Sequence, residues 1–83
     1  MTIAEYKGRN NITGIRIRQL RLDRGWSQEQ LAAQMQIKGI RLSKSGVLRI
    51  ENGVRFVSDH EVTLFAELFG VCRDDLYEIP EGE

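Results

Sequence analysis

Gly25-Trp26-Ser27-Gln28-Glu29-Gln30-Leu31-Ala32 and, further on, Leu42-Ser43-Lys44-Ser45-Gly46-Val47-Leu48-Arg49-Ile50-Glu51-Asn52-Gly53 decide how this chain folds. Each reads as the opening of a helix. Ser27 is an N-cap residue, and Gln30 three positions on completes a capping box, in which side chains and backbone amides satisfy each other. Trp26 before the cap and Leu31 at the fourth helical position form a hydrophobic staple. Leu31, Ala32 and Met35 make the inner face of this second helix, which ends before Gly39. Ser43 opens the third helix in the same way, with Leu42 and Val47 at the staple positions. At about 100° per residue, Val47, Ile50 and Glu51 fall on one side. Lys44, Ser45, Leu48 and Arg49 fall on the other, and Asn52-Gly53 is a strong C-terminal stop.

Working outward, the same grammar repeats. A first helix spans about Thr13 to Arg24, capped by Asn11 or Thr13, with Ile17, Leu20 and Arg21 on one face and Gly25 as its stop. A fourth starts at Ser58, with Glu61 as capping-box partner and Val57/Val62 as staple. Its apolar stripes are Val62, Phe65, Ala66 and Phe69, and Leu64 with Leu68; Gly70 ends it. A short fifth helix, about Arg73–Glu78, carries Asp74 and Asp75 in its first turn, where the helix dipole favours acids, and returns Leu76 and Tyr77 to the core. No stretch alternates with the period of a strand. The expected fold is all-α: a compact five-helix domain over residues 12–79, a flexible, frayed N-terminal arm over 1–11, and a C-terminal tail over 80–83.

The chain of 83 residues, 41% hydrophobic, suffices for one packed domain and is too short for two. No apolar run is long enough to span a membrane, and Met1–Asn11 lacks the apolar stretch of a signal peptide. The one cysteine, Cys72, has no internal partner, so a reducing cytoplasm is the expected setting; it is read as a buried or semi-buried thiol. One histidine, His60, and one cysteine do not make a zinc site. There is no Ser/His/Asp or Cys/His set and no Gly-rich phosphate loop, so no enzyme and no cofactor is expected. The net charge is zero, but its distribution is not even. Residues 1–50 hold ten cations against three acids, and residues 51–83 hold two cations against nine acids. Such a dipolar chain can turn a basic face to phosphate.

Several of these pieces, in this order, resemble the Cro/C1-type helix-turn-helix family, the xenobiotic-response-element family that includes the lambdoid phage repressors. The resemblance rests on Arg16-Ile17-Arg18-Gln19-Leu20-Arg21, the two stretches quoted first, and Leu64-Phe65-Ala66-Glu67-Leu68-Phe69-Gly70-Val71 followed by Asp75-Leu76. It implies a lambda-repressor-like DNA-binding domain and a prokaryotic transcriptional regulator acting as a repressor. The third helix would enter the major groove of double-stranded DNA with the second crossing the backbone. On that reading Lys44, Ser45, Leu48 and Arg49 face base edges, Arg49 matching guanine O6 and N7 and Leu48 a thymine methyl. Gln28, Ser43, Arg55, Lys38 and Arg41 would hold phosphates, Gln28 at a helix N-terminus that suits an anion. In the arm, Lys7 and Arg9 are candidates for a minor groove. Arg21 and Glu51, both on inward faces, would form an ion pair joining the first helix to the third.

This chain departs from the family pattern in three ways, one of them an overall pI near neutral, which is low for a DNA binder. Gln36–Arg41 lengthens the turn between the second and third helices. Gly46 lies inside the third helix, where it costs about 1 kcal/mol relative to Ala; it either admits a close sugar-phosphate backbone or is simply tolerated. A lone domain has limited affinity and doubling its contacts raises it through effective concentration, so a homodimer is expected, with Leu64, Leu68, Tyr77, Ile79 and Pro80 as candidate surface unless they close the domain's own core. The alternative function is a helix-turn-helix used for protein interaction, as in an antitoxin or adaptor. No small-molecule ligand is evident.

Overall fold

The computed structural model describes residues 6–79. They form α1 (Thr13–Asp23), α2 (Gln28–Ile37), α3 (Lys44–Glu51), α4 (Asp59–Phe69) and a closing 3-10 turn, Arg73–Tyr77. The fifth helix is therefore corrected to a single 3-10 turn, and the domain has four α-helices. Five residues between Cys72 and Glu78 are too few to propagate an α-helix, whereas a tight i→i+3 turn still delivers Leu76 to the core, fully buried. None of the described helices is long and apolar enough to cross a membrane.

The helix starts follow local chemistry. Gln30 N–H donates to Ser27 Oγ at 3.0 Å, and Gln30 Oε1 accepts from Ser27 N–H at 2.7 Å. Ser58 and Glu61 repeat this box at α4, and Ser43 Oγ accepts from Gly46 N–H at α3. At α1 the capping oxygen is Asn11 Oδ1, which accepts from Gly14 N–H at 2.8 Å. Ile17, Leu31, Met35, Val47, Ile50, Phe65 and Leu76 are the fully buried centre on which all five elements converge. Leu64 and Leu68 are half-buried against this same core, so the second stripe of α4 closes the domain itself. Tyr77 stays exposed and Ile79 half-buried; Pro80 and the rest of the tail lie outside the described residues. Cys72 is exposed, which corrects the expectation of a buried thiol: it precedes the 3-10 turn at the surface and makes no capping bond.

The long connection Lys38–Ser43 is held at several points. Ile40 N–H returns to Met35 O, and Gln36 Nε2 donates to Leu42 O at 2.6 Å. Leu42 is buried and lies over Gly46, where an added Cβ would come within 2.7 Å of Leu42 Cδ1. Gly46 thus makes room for the lengthened turn inside the protein.

The arm makes defined contacts over its described part. Tyr6–Asn11 is docked on the domain rather than frayed; Met1–Glu5 lie outside the described residues. Tyr6 and Arg9 exchange backbone hydrogen bonds across Lys7-Gly8, both of which have positive φ, the signature of a type I′ turn. Asn10 N–H donates to Gly53 O at 2.7 Å and its side chain to Val54 O at 3.0 Å. Arg9 Nη2 donates to Glu51 O at 2.9 Å and to Ile50 O at 3.4 Å. These are the last carbonyls of α3, the negative end of its dipole, where a cation is favourable. Arg9 therefore belongs to the fold and is not extended toward a minor groove.

Candidate nucleic-acid interface

α2 and α3 pack on one another, and the buried face of α3 (Gly46, Val47, Ile50, Glu51) turns its other face outward. Lys44, Ser45, Leu48 and Arg49 are all exposed on that outer face, which carries no acid between Lys44 and Ile50. Ser43, at its head, uses its hydroxyl oxygen as the α3 cap and keeps its O–H proton to donate. Arg41 is exposed in the turn just before it. A short helix with a buried seam, an outward polar face and a second helix braced behind it is the arrangement that presents side chains to a groove.

Residues 13–78 match the family model described as a helix-turn-helix domain. The chain belongs to this helix-turn-helix family. No curated protein and no solved structure matches it. Membership points to nucleic-acid binding and to a DNA-binding regulator in general.

Behind the outer face of this helix-turn-helix lies a buried polar junction. Arg21 Nε donates to Glu51 Oε2 at 2.7 Å and Nη2 to Oε1 at 3.1 Å, while Nη1 reaches Trp26 O at 2.8 Å. Arg21 is 7% exposed and Glu51 5%. The guanidinium fork and the carboxylate match as a bidentate pair, the strong form of a charge-assisted bond. Gln28 Nε2 adds a third bond to Glu51 Oε1 at 3.1 Å. Gln28, expected at a phosphate, is thus tied on one side to the interior. Its backbone amide, at the first position of α2, still belongs to the set that helix geometry leaves without an intrahelical partner.

Two other expected phosphate contacts have partners inside the protein. Arg55 forks onto Glu61, Nη1 to Oε1 at 3.2 Å and Nη2 to Oε2 at 2.8 Å, so its guanidinium is paired with α4 while staying partly exposed. Glu61 serves two elements at once, capping α4 and clamping Arg55. Lys38 leans toward Glu67, Nζ to Oε2 at 3.7 Å, a solvated pair worth little. Arg24, which no motif singled out, stacks on Trp26 and Phe69 and donates to Phe69 O at 3.0 Å. The ten cations of the first half therefore overstate the basic face. Arg9 and Arg21 are structural, Arg24 is exposed but held at Trp26 and Phe69, and the cations presented beside the outer face of α3 are Arg41, Lys44 and Arg49.

The Glu61 site gives a pH prediction. Burial raises the Glu61 pKa, but hydrogen bonds from Arg55 and Ser58, with the Arg55 charge, together outweigh it and leave the carboxyl below its ordinary value. A lowered folded pKa means stability that is present above the unfolded pKa and is lost as pH falls through the folded one. Glu61→Gln is expected to melt below the unsubstituted protein at neutral pH. Thermal scans from about pH 7 to about pH 3 are expected to show that gap closing as the carboxylate is protonated. A gap independent of pH would show that the charge of Glu61 contributes nothing.

Proposed function

We propose that this helix-turn-helix domain is a sequence-specific DNA-binding transcriptional regulator of the Cro/C1 kind, acting as a repressor, with α3 in the major groove. The observation that carries the reading is the outer face of α3. Four side chains of suitable chemistry, Lys44, Ser45, Leu48 and Arg49, stand exposed together and without an acid among them. Arg49 pairs with guanine O6 and N7 through its planar fork; Lys44 reaches the same acceptors as a point charge; Leu48 meets a thymine methyl. Ser43, Arg41 and the free amides at the start of α2 hold phosphates and fix the register. The protein acts by binding and not by catalysis, as a homodimer in a prokaryotic cytoplasm, on an operator with half-sites about 34 Å apart.

The test is selection from a random-sequence duplex pool at two salt concentrations. The expected result is a short two-fold motif. Arg49→Ala is expected to lower affinity for the selected duplex roughly tenfold to a hundredfold and to relax the preference at its base. Lys44→Ala is expected to cost less and to flatten the salt dependence by about one unit of log–log slope if Lys44 also touches phosphate. Absence of binding even at low salt would sink the reading. The antitoxin or adaptor reading would then stand on Val54 and Phe56, 61% and 54% exposed in the loop after α3, where large apolar side chains suit a protein partner.

A further inference from the structure

We infer that Arg9 and Asn11 are positioning residues that set the angle at which α3 meets DNA, and so its base specificity, without touching DNA themselves; this rests on the DNA-binding reading above. Every contact from the arm lies at the C-terminal end of the helix. Arg9 Nη2 holds the carbonyls of Ile50 and Glu51, and Asn11 Nδ2 donates to Ile50 O at 3.0 Å and to Arg55 O at 2.7 Å. Asn11 thereby ties the last turn of α3 to the strand of chain leaving it, while its own Oδ1 caps α1. The fit is close. Gly53, at φ 79°, lies under the Arg9 side chain, and a Cβ there would sit within 3 Å of three Arg9 carbons. The side chain of Glu51 is held from α1 and α2, and its backbone carbonyl is held by the arm.

The opposite end of α3 carries Lys44 and Ser45 on its outer face and is seated in the domain through the buried Leu42, Gly46 and Val47. α3 has eight residues, roughly 12 Å at about 1.5 Å each, so once the clamp is lost a tilt of about 5° about the seated end displaces the last turn, with Arg49, by roughly 1 Å. Bidentate base contacts hold heavy atoms within a few tenths of an ångström of about 2.9 Å. They do not survive such a shift, whereas contacts to phosphate on flexible side chains do. Loss of the clamp should therefore erode specific binding and spare non-specific binding.

The experiment compares the full chain with Arg9→Ala, Arg9→Lys and Asn11→Asp. Asn11→Asp keeps the oxygen that caps α1 and removes the donor that holds α3, so it tests the clamp should Arg9→Ala fold poorly. Each protein is titrated, at a temperature where circular dichroism shows it folded, against the duplex that the unsubstituted chain selects from a random pool and against a scrambled duplex. The ratio of the two affinities is expected to fall about tenfold or more in Arg9→Ala and Asn11→Asp, the size of one lost base pairing. The scrambled duplex is expected to bind within about twofold of the unsubstituted protein, because non-specific binding rests on phosphate contacts. Arg9→Lys keeps the charge at the helix end but not the fork, and is expected not to restore the ratio. An unchanged ratio, with or without a lower melting temperature, would overturn the inference, as would an equal loss on both duplexes. If the unsubstituted chain selects no motif, the DNA reading itself fails and this inference falls with it; if it selects one and the variants select the same one as sharply, only this inference fails.

Discussion

Glu51→Ala is expected to destabilise the domain by roughly 3–5 kcal/mol, the cost of breaking a buried ion pair by removing one partner. The loss has three parts. The Arg21 guanidinium, 7% exposed, would keep only its bond to Trp26 O and remain a charge out of water. Gln28 Nε2 would lose its acceptor. A gap would open between α1, α2 and α3. Small domains hold about 5–15 kcal/mol in total, so such a loss leaves a substantial unfolded fraction. Urea titration followed by circular dichroism would read it as a lower midpoint with an unchanged slope. The companion variant carries Arg21→Met with Glu51→Leu. Apolar residues of similar volume in place of both charges often restore or exceed the original stability, and most of the loss is expected to return. A Glu51→Ala cost below about 1 kcal/mol would mean that the pair behaves as a surface salt bridge, against its burial.

That pair marks a boundary in what the amino-acid order discloses. Capping boxes are i,i+3 chemistry, so Ser27 with Gln30 and Ser58 with Glu61 were readable, and the helix starts at α2, α3 and α4 with them. Periodicity separates Val47, Ile50 and Glu51 from Lys44, Ser45, Leu48 and Arg49, because a helix face is a local property. It does not say what Glu51 meets; that pairing came from the family resemblance. Arg9 and Asn11 are about forty positions from the carbonyls they hold, and nothing in Arg9-Asn10-Asn11 distinguishes a docked strap from a solvated arm. The same blindness hides the internal partner of Arg55. A basic residue after a helix stop looks available until α4 brings the Glu61 carboxylate back against it. Composition errs in the same direction, since it counts Arg9 and Arg21 as basic surface when both are bonded into the domain. The fifth helix was misjudged for another reason: acidic residues in a first turn show where a helix would start, but not that there are enough residues to continue it.

Gly14→Ala is expected to be destabilising by about 3 kcal/mol, the upper end of what overpacking costs, in spite of a change that helix propensity favours by about 1 kcal/mol. Gly14 is buried in the first turn of α1. A Cβ there would lie far inside the van der Waals envelope of Ile50 O and would also crowd Asn11 Oδ1 at 2.7 Å and Arg9 Nη2 at 2.8 Å. The obstruction is a backbone carbonyl at the end of α3, so no rotamer change relieves it. α1 must move away from α3, and the bonds from Arg9 and Asn11 that converge on that carbonyl must lengthen with it. Gly46→Ala is the control. It has the same propensity gain, but its new methyl meets the tip of the Leu42 side chain, which can turn aside, so a change within about 1 kcal/mol is expected. Urea midpoints of the two variants distinguish backbone obstruction from generic crowding of a helical glycine. Similar small effects at both sites would mean that α1 and α3 do not approach through Gly14 as closely as the packing requires. A large loss at Gly14 alone would show that α3 is held from behind by the close passage of α1 and the arm, the same contact on which its orientation depends.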